Sequence, residues 1–150
     1  MIDYFEDLQV GQRFRAGPIV VTRERIISFG EEFDPQPMHL GEAQSEGTLA
    51  GELIASGWHT SAVTMRLLVN GAMPRWQGKG IGAGVESLSW PNPVRPGDAL
   101  SAESEILELR RSKSNPLRGV MRIRSVTTNQ HGQTVQIVTA TMIGPCRTAG

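Results

Sequence analysis

The second half of the chain has the hydrophobic pattern of a β-sheet. From residue 81 onward, β-branched and apolar residues recur in runs, which predicts four long strands at residues 81–90, 99–109, 118–128 and 134–143. The segments between these runs contain turn sequences, including Pro96-Gly97 and His131-Gly132. We therefore expect sequential hairpins that form an antiparallel sheet.

Apolar residues at helical spacing predict two helices in the first half. The first follows a short strand around residues 19–21, has Thr22 as its N-cap and must end before Pro35. The second begins after Ser56 and closes at Asn70-Gly71. It aligns one apolar stripe that we expect to be buried: Trp58, Ala62, Met65, Leu68 and Val69. This content predicts an α+β fold in which a long, curved sheet wraps around the second helix.

Composition and charge narrow the function classes. The 150 residues, 39% of them hydrophobic, fit one compact domain that spans residues 1–150. The 15 basic and 15 acidic residues balance, so nothing indicates a nucleic-acid or membrane partner. The first ten residues lack the basic start and apolar core expected of a signal peptide, no apolar stretch is long enough to span a membrane, and Cys146 is the one cysteine. We expect a soluble, cytoplasmic protein with an inert thiol.

The candidate chemistry lies between Phe33 and His39. Pro35 and Pro37 cannot donate backbone hydrogen bonds, and each favours an extended conformation of the residue before it. The segment is therefore a stiff loop, which can direct the Asp34 carboxylate and the His39 imidazole toward one point, as acid–base chemistry on a bound water requires. Spacing alone leaves a second interpretation open, in which Asp34 only turns the chain and His39 only forms a loop hydrogen bond.

The same segment resembles a motif of the MaoC-like dehydratases and R-specific enoyl-CoA hydratases of the hot-dog superfamily. These proteins carry Asp-x-Asn-Pro-x-His after an aromatic residue and a short helix. Phe33, Asp34, Pro37 and His39 match this pattern, with Gln36 in the place of Asn. The resemblance extends over nearly the whole chain.

Two further matches follow in the expected order. The family has a His-Gly pair that opens its central helix, and here Ser56 and Gly57 occupy those positions, so the His is replaced. The family also has a Pro-x-x-Pro-Gly-Asp turn between long strands, which residues 93–98 match. The turn alone is weakly specific because Pro-Gly-Asp is a common turn sequence. The resemblance is specific because the three matches occur together and in the expected order.

The resemblance implies a hot-dog fold and a hydro-lyase that adds water to, or removes it from, an acyl-CoA thioester. Asp34 and His39 would hold and deprotonate the water, and the Gly57 N–H would stabilise the thioester enolate. Coenzyme A would be part of the substrate, with no separate cofactor and no metal, and the protein would be a homodimer. The implied substrate-binding residues are Phe33, Ser56 and Trp58.

Two other functions remain open at this point. A hot-dog acyl-CoA thioesterase would share the fold, but it usually has a carboxylate on or near the central helix, and no Asp or Glu lies between Gly57 and Asn70. A non-catalytic acyl-thioester-binding protein is compatible with Ser56 in the place of the usual His. The presence of both Asp34 and His39 argues against it. We expect His59, which has no neighbouring base, to be a packed or solvent-facing histidine.

Overall fold

The computed structural model describes residues 1–150 and contains one five-stranded antiparallel sheet. The strands occur in the order β1-β3-β4-β5-β2 across the sheet. Their bounds are Arg13–Val20 (β1), Ile81–Ser89 (β2), Ala99–Arg111 (β3), Arg118–Thr128 (β4) and Thr134–Pro145 (β5). The helices are Arg23–Phe33 (α1), Glu42–Ser45 (α2) and Gly57–Leu67 (α3). This composition confirms the predicted α+β class.

Helix α3 lies against the sheet and contacts β1, β3 and β5. Leu67 and Leu100 are fully buried in the larger hydrophobic cluster, which also includes Ile26 of α1. A smaller cluster around Trp76 and Met121 fills the other end of the sheet. None of the helices combines the length and hydrophobicity that a membrane-spanning helix requires.

Both predicted helix starts are confirmed by their capping interactions. The Thr22 hydroxyl accepts a hydrogen bond from the Arg25 N–H, and the Ser56 hydroxyl accepts one from the Trp58 N–H. Helix α1 ends at Phe33, as Pro35 requires. Helix α3 continues into a wider turn, Leu68–Ala72, in which Gly71 departs from helical geometry.

The prediction of sequential hairpins is correct for β3, β4 and β5 but wrong for β2. Strand β2 pairs with β5 at the far edge of the sheet, so residues 90–98 cross the sheet instead of forming a hairpin. The Asp98 carboxylate accepts a hydrogen bond from the Arg95 N–H in that connection. Strand β1, at the opposite edge, begins at Arg13 and not, as predicted, near Ile19, because Gly17-Pro18 interrupts its alternating pattern where the register shifts.

The expected burial of the α3 apolar stripe is wrong for most of its members in the isolated chain. Trp58 is 60% exposed and Val69 is 65% exposed, whereas Leu68 is buried. The helix instead turns Thr60, Thr64 and Leu67 toward the sheet, and Thr64 hydrogen-bonds Thr127 of β4 at 2.8 Å. The larger apolar side chains therefore lie on the open side of α3, next to β2.

Candidate active site

The loop after α1 holds the candidate pair in a compact conformation. The Asp34 N–H donates to the Gly30 carbonyl and so completes the last turn of α1. The segment Pro37–His39 forms a single 3-10 turn, a local difference from the fully extended loop that the prolines suggested. The Ile54 N–H donates to the Met38 carbonyl and ties this turn to the segment that leads into α3.

The Asp34 and His39 side chains meet. His39 Nε2 lies 3.3 Å from Asp34 Oδ2, and both side chains are largely buried, with 7% and 16% of their surfaces exposed. Of the two interpretations that spacing left open, the geometry favours the convergent one, because the carboxylate and the imidazole face each other.

Ser56 holds the Asp34 carboxylate from the opposite side. Its hydroxyl donates to Asp34 Oδ2 at 2.6 Å while accepting from the Trp58 N–H at 3.3 Å. Gln36 Nε2 donates to the other carboxylate oxygen at 2.7 Å. The Ser56 hydrogen bond, then that from Gln36 and the proximity of His39, lower the pKa of Asp34 against the opposing effect of burial. Asp34 is therefore held as a carboxylate.

A hydrogen bond at the second ring nitrogen of His39 fixes the tautomer of the imidazole. Nδ1 lies 2.7 Å from the Ile54 carbonyl oxygen, which can only accept a hydrogen bond, so Nδ1 carries a proton. Nε2 is then the atom available for proton exchange. Gly30 permits this placement, because a Cβ atom at position 30 would lie 2.6 Å from the His39 carbonyl oxygen. Any larger residue in that turn of α1 would displace His39.

Gly57 begins α3 directly after Ser56. Its N–H lies in the first helical turn and has no acceptor in the chain, so it can bind an anionic oxygen. The Trp90 ring packs against this glycine, since a Cβ atom at position 57 would lie 2.5 Å from it. His39 and Gly57 both line an open pocket of about 580 Å³, and the Arg95–Glu52 ion pair lies at the same pocket.

The predicted substrate-binding residues have different surroundings. Phe33 is exposed and packs against Phe29, with ring centroids 5.1 Å apart. Trp58 packs edge-on against Trp90 at 5.1 Å. Ser56 is only 1% exposed, and its hydroxyl already binds Asp34 and the helix N-terminus. Both of these contacts are within the chain, and the role of Ser56 in substrate binding stays a prediction.

Two residues outside the pair agree with their predicted structural roles. His59 is packed, with its ring stacked on Phe29 at 4.8 Å, and burial lowers its pKa. Burial also raises the pKa of the Cys146 thiol, which disfavours the reactive thiolate.

Several site features had no clear signal in the sequence. Gln36 appeared there only as a departure from a motif, yet it binds Asp34. The Ile54 carbonyl and the Trp90 ring come from distant segments and carry no motif. Gly30 gave the one usable signal, since a glycine within the apolar positions of a helix often marks a close contact.

The sheet around α3 and the Asp34–His39 pair beside its N-terminus define a protein of the hot-dog superfamily, which confirms the predicted fold. The chain belongs to the MaoC like domain family, whose family model matches residues 7–130. This match confirms the resemblance drawn from the motifs.

Similar proteins support the assignment. The MaoC-like dehydratase from Rhodospirillum rubrum is 48% identical with a TM-score of 0.91, over 97% of this chain and 99% of that chain. The R-hydratase PhaJ1 from Pseudomonas aeruginosa is 26% identical with a TM-score of 0.74, over 97% and 88% of the two chains. The uncharacterized protein YdeM from Bacillus subtilis (strain 168) is 32% identical over 127 residues, which are 83% of this chain and 86% of that protein.

Proposed function

We propose that this protein is a hydro-lyase that hydrates enoyl-CoA thioesters or dehydrates 3-hydroxyacyl-CoA thioesters. The observation that carries the proposal is the 3.3 Å approach of His39 Nε2 to Asp34 Oδ2, beside the unpaired N–H of Gly57. Family membership and similarity to an R-hydratase support the same reaction class.

In the hydration direction, the water oxygen attacks the β-carbon of the conjugated thioester. The carbon–carbon double bond moves toward the thioester, and negative charge develops on the thioester oxygen. The Gly57 N–H at the start of α3 stabilises that charge, and one such donor lowers the barrier by about 3 kcal/mol. A proton from the acid–base pair then reaches the α-carbon, so one water is added overall. Dehydration follows the same path in reverse.

Asp34 and His39 have different roles toward the attacking water. The Nδ1 proton is held by Ile54, so the lone pair of Nε2 takes the proton from the water. The Asp34 carboxylate accepts a hydrogen bond from the O–H that stays on the water oxygen, and it stabilises the imidazolium that forms. Ser56, in the place of the family's His, keeps the carboxylate oriented and ionised.

We also propose that two copies of the chain form the functional unit. Strand β2 is an edge strand and is exposed along almost its whole length, with Val85 62% exposed. The apolar stripe of α3, including Met65 and Val69, is exposed on the same side. Unpaired strand edges and contiguous apolar surface favour association, and pairing of β2 with a second β2 would cover both features.

A panel of enoyl-CoA and 3-hydroxyacyl-CoA thioesters tests the proposed reaction. Loss or gain of the conjugated absorbance measures hydration or dehydration, and release of free thiol is followed separately. We expect the absorbance to change without thiol release. Thiol release without hydration would identify a thioesterase and contradict the proposal, and binding without either reaction would identify a non-catalytic acyl-thioester-binding protein.

A further inference from the structure

A second cavity, of about 340 Å³, lies between α3 and strands β2, β4 and β5 of the sheet. Its lining is mostly apolar and includes Met65 of α3, Val85 of β2 and Val138 of β5. No Lys, Arg, His, Asp or Glu side chain lines it. The mechanism proposed above makes no use of this cavity.

Gln136 of β5 lines the cavity and is only 2% exposed. Its Oε1 accepts two hydrogen bonds, from the Trp90 indole N–H at 2.9 Å and from the Ser61 hydroxyl at 2.6 Å. An indole N–H can only donate, so the oxygen of the amide must face Trp90. This contact fixes the orientation of the amide and directs its NH2 group away from Trp90.

The NH2 group of Gln136 has no acceptor in the chain. Two other polar side chains of the lining are paired within the chain, Thr64 with Thr127 at 2.8 Å and Ser125 with Ser104 at 2.7 Å. The NH2 group is not sealed from the cavity that Gln136 lines, so it is free to donate a hydrogen bond to an acceptor that enters this cavity.

The cavity adjoins the candidate active site through Trp90. One face of the Trp90 ring packs against Gly57, and its indole N–H binds Gln136. Trp58, which packs against Trp90, also lines the cavity. Trp90 therefore borders the pocket at Gly57 and also binds the one amide that lines the apolar cavity.

We propose that Gln136 is a specificity-determining residue whose amide donates a hydrogen bond to an oxygen atom within the acyl chain of the substrate. This inference rests on the proposed function. The oxygen is neutral, as in an ether, a hydroxyl or a ketone, because a buried carboxylate would need a cation and the lining contains none. Thioesters with unsubstituted hydrocarbon chains are then poorer ligands, because they leave the amide unpaired.

Binding of saturated thioesters tests the inference without requiring turnover. Octanoyl-CoA is compared with four analogues in which an ether oxygen replaces carbon 4, 5, 6 or 7, by titration calorimetry. In the wild-type protein, we expect one ether position to bind about tenfold more tightly than the other three, since one position alone meets the donor. Uniform affinity across the four positions would overturn the inference.

Two variants sharpen the test. Gln136→Met keeps the size of the side chain and removes the donor. The affinity for the preferred ether, relative to that for octanoyl-CoA, should therefore fall about tenfold. Ser61→Ala removes one hydrogen bond to Oε1 but leaves the NH2 group and Trp90 in place, and the ratio should stay within about twofold. An unchanged ratio in Gln136→Met would contradict the assignment of the donor.

The outcomes separate this inference from the proposed function. If the protein hydrates enoyl-CoA thioesters but shows no ether preference, the role of Gln136 is wrong and the hydro-lyase stands. If the ether preference is present and depends on Gln136 but no hydration occurs, the binding site stands and the proposed reaction fails.

Discussion

Replacing Ser56 with alanine separates the two roles of this residue. The hydroxyl caps α3 by accepting from the Trp58 N–H and holds Asp34 through a short O–H to carboxylate hydrogen bond of 2.6 Å. Loss of an N-cap side chain costs about 1 kcal/mol of stability. Loss of a hydrogen bond to a charged group costs about 1.5–3 kcal/mol.

We expect these losses to appear in different measurements. If Asp34 leaves its catalytic orientation without this hydrogen bond, and restoring that orientation in the transition state costs about 1.5–3 kcal/mol, Ser56→Ala lowers kcat/KM for enoyl-CoA hydration by about 10- to 100-fold, since each 1.4 kcal/mol corresponds to a factor of ten. The acid limb of the pH–rate profile should also move to higher pH. The Ser56 hydrogen bond is the largest cause that lowers the pKa of Asp34, so its removal raises that pKa and protonates the carboxylate earlier on acidification.

Two matched variants serve as controls for Ser56→Ala. Thr22→Ala removes the cap of α1, which binds the Arg25 N–H, and should lower stability by about 1 kcal/mol with kcat/KM nearly unchanged. Gln36→Ala removes the exposed donor to Asp34 and should move the acid limb in the same direction by less, because water replaces an exposed donor. A wild-type pH profile and rate for Ser56→Ala would refute the positioning role.

Three further variants test other parts of the structure. Gly57→Ala should reduce hydration at least tenfold and change the tryptophan fluorescence, because the added Cβ would lie 2.5 Å from the Trp90 ring; equal activity would show that the first turn of α3 is not used. Leu67→Ala should lower the free energy of unfolding by about 2–5 kcal/mol in urea titrations, since this side chain is fully buried in the core. Val85→Lys should reduce the molecular mass measured by light scattering from that of a dimer toward that of a monomer, whereas Leu117→Lys, in the β3–β4 loop, should not.

The strands of the second half could be predicted closely because hydrophobic periodicity and turn residues agreed there. Strands β3, β4 and β5 differ from their predicted bounds by at most two residues, and the hairpin at His131-Gly132 is present. The pairing of β2 with β5 could not be predicted, because it depends on which sheet edge is free after β3, β4 and β5 assemble. Which edge is free depends on contacts between residues that are far apart in the chain.

The candidate site was predictable only in part, for a similar reason. Asp34 and His39 are close in the chain, and the two prolines between them restrict how the loop can fold, so local chemistry allowed their convergence as one of two interpretations. The contact of Ser56 with Asp34 joins residues 22 positions apart, and the approach of Trp90 to Gly57 depends on the crossing segment after β2. Side-chain contacts of this kind arise from packing of the whole chain.

The exposed apolar stripe of α3 shows that helical periodicity can predict the wrong face of a helix as the buried one. Trp58, Met65 and Val69 form an apolar stripe, but the sheet lies under Thr64 and Leu67 instead. The hydrophobicity of these side chains predicts that they are buried, but it does not specify the surface that covers them. In our proposal, that surface belongs to the second copy of the chain.

The most direct test of the proposed chemistry is the hydration rate of Asp34→Asn compared with that of the wild-type protein. The amide retains the shape of the carboxylate and can still accept from Ser56, so the fold should persist, as circular dichroism and urea unfolding would show. We predict that kcat/KM for a 2-enoyl-CoA thioester falls by about 10²–10⁴-fold, the usual contribution of a positioned acid–base group. A folded Asp34→Asn protein that hydrates the thioester at the wild-type rate would contradict the assignment of the Asp34–His39 pair.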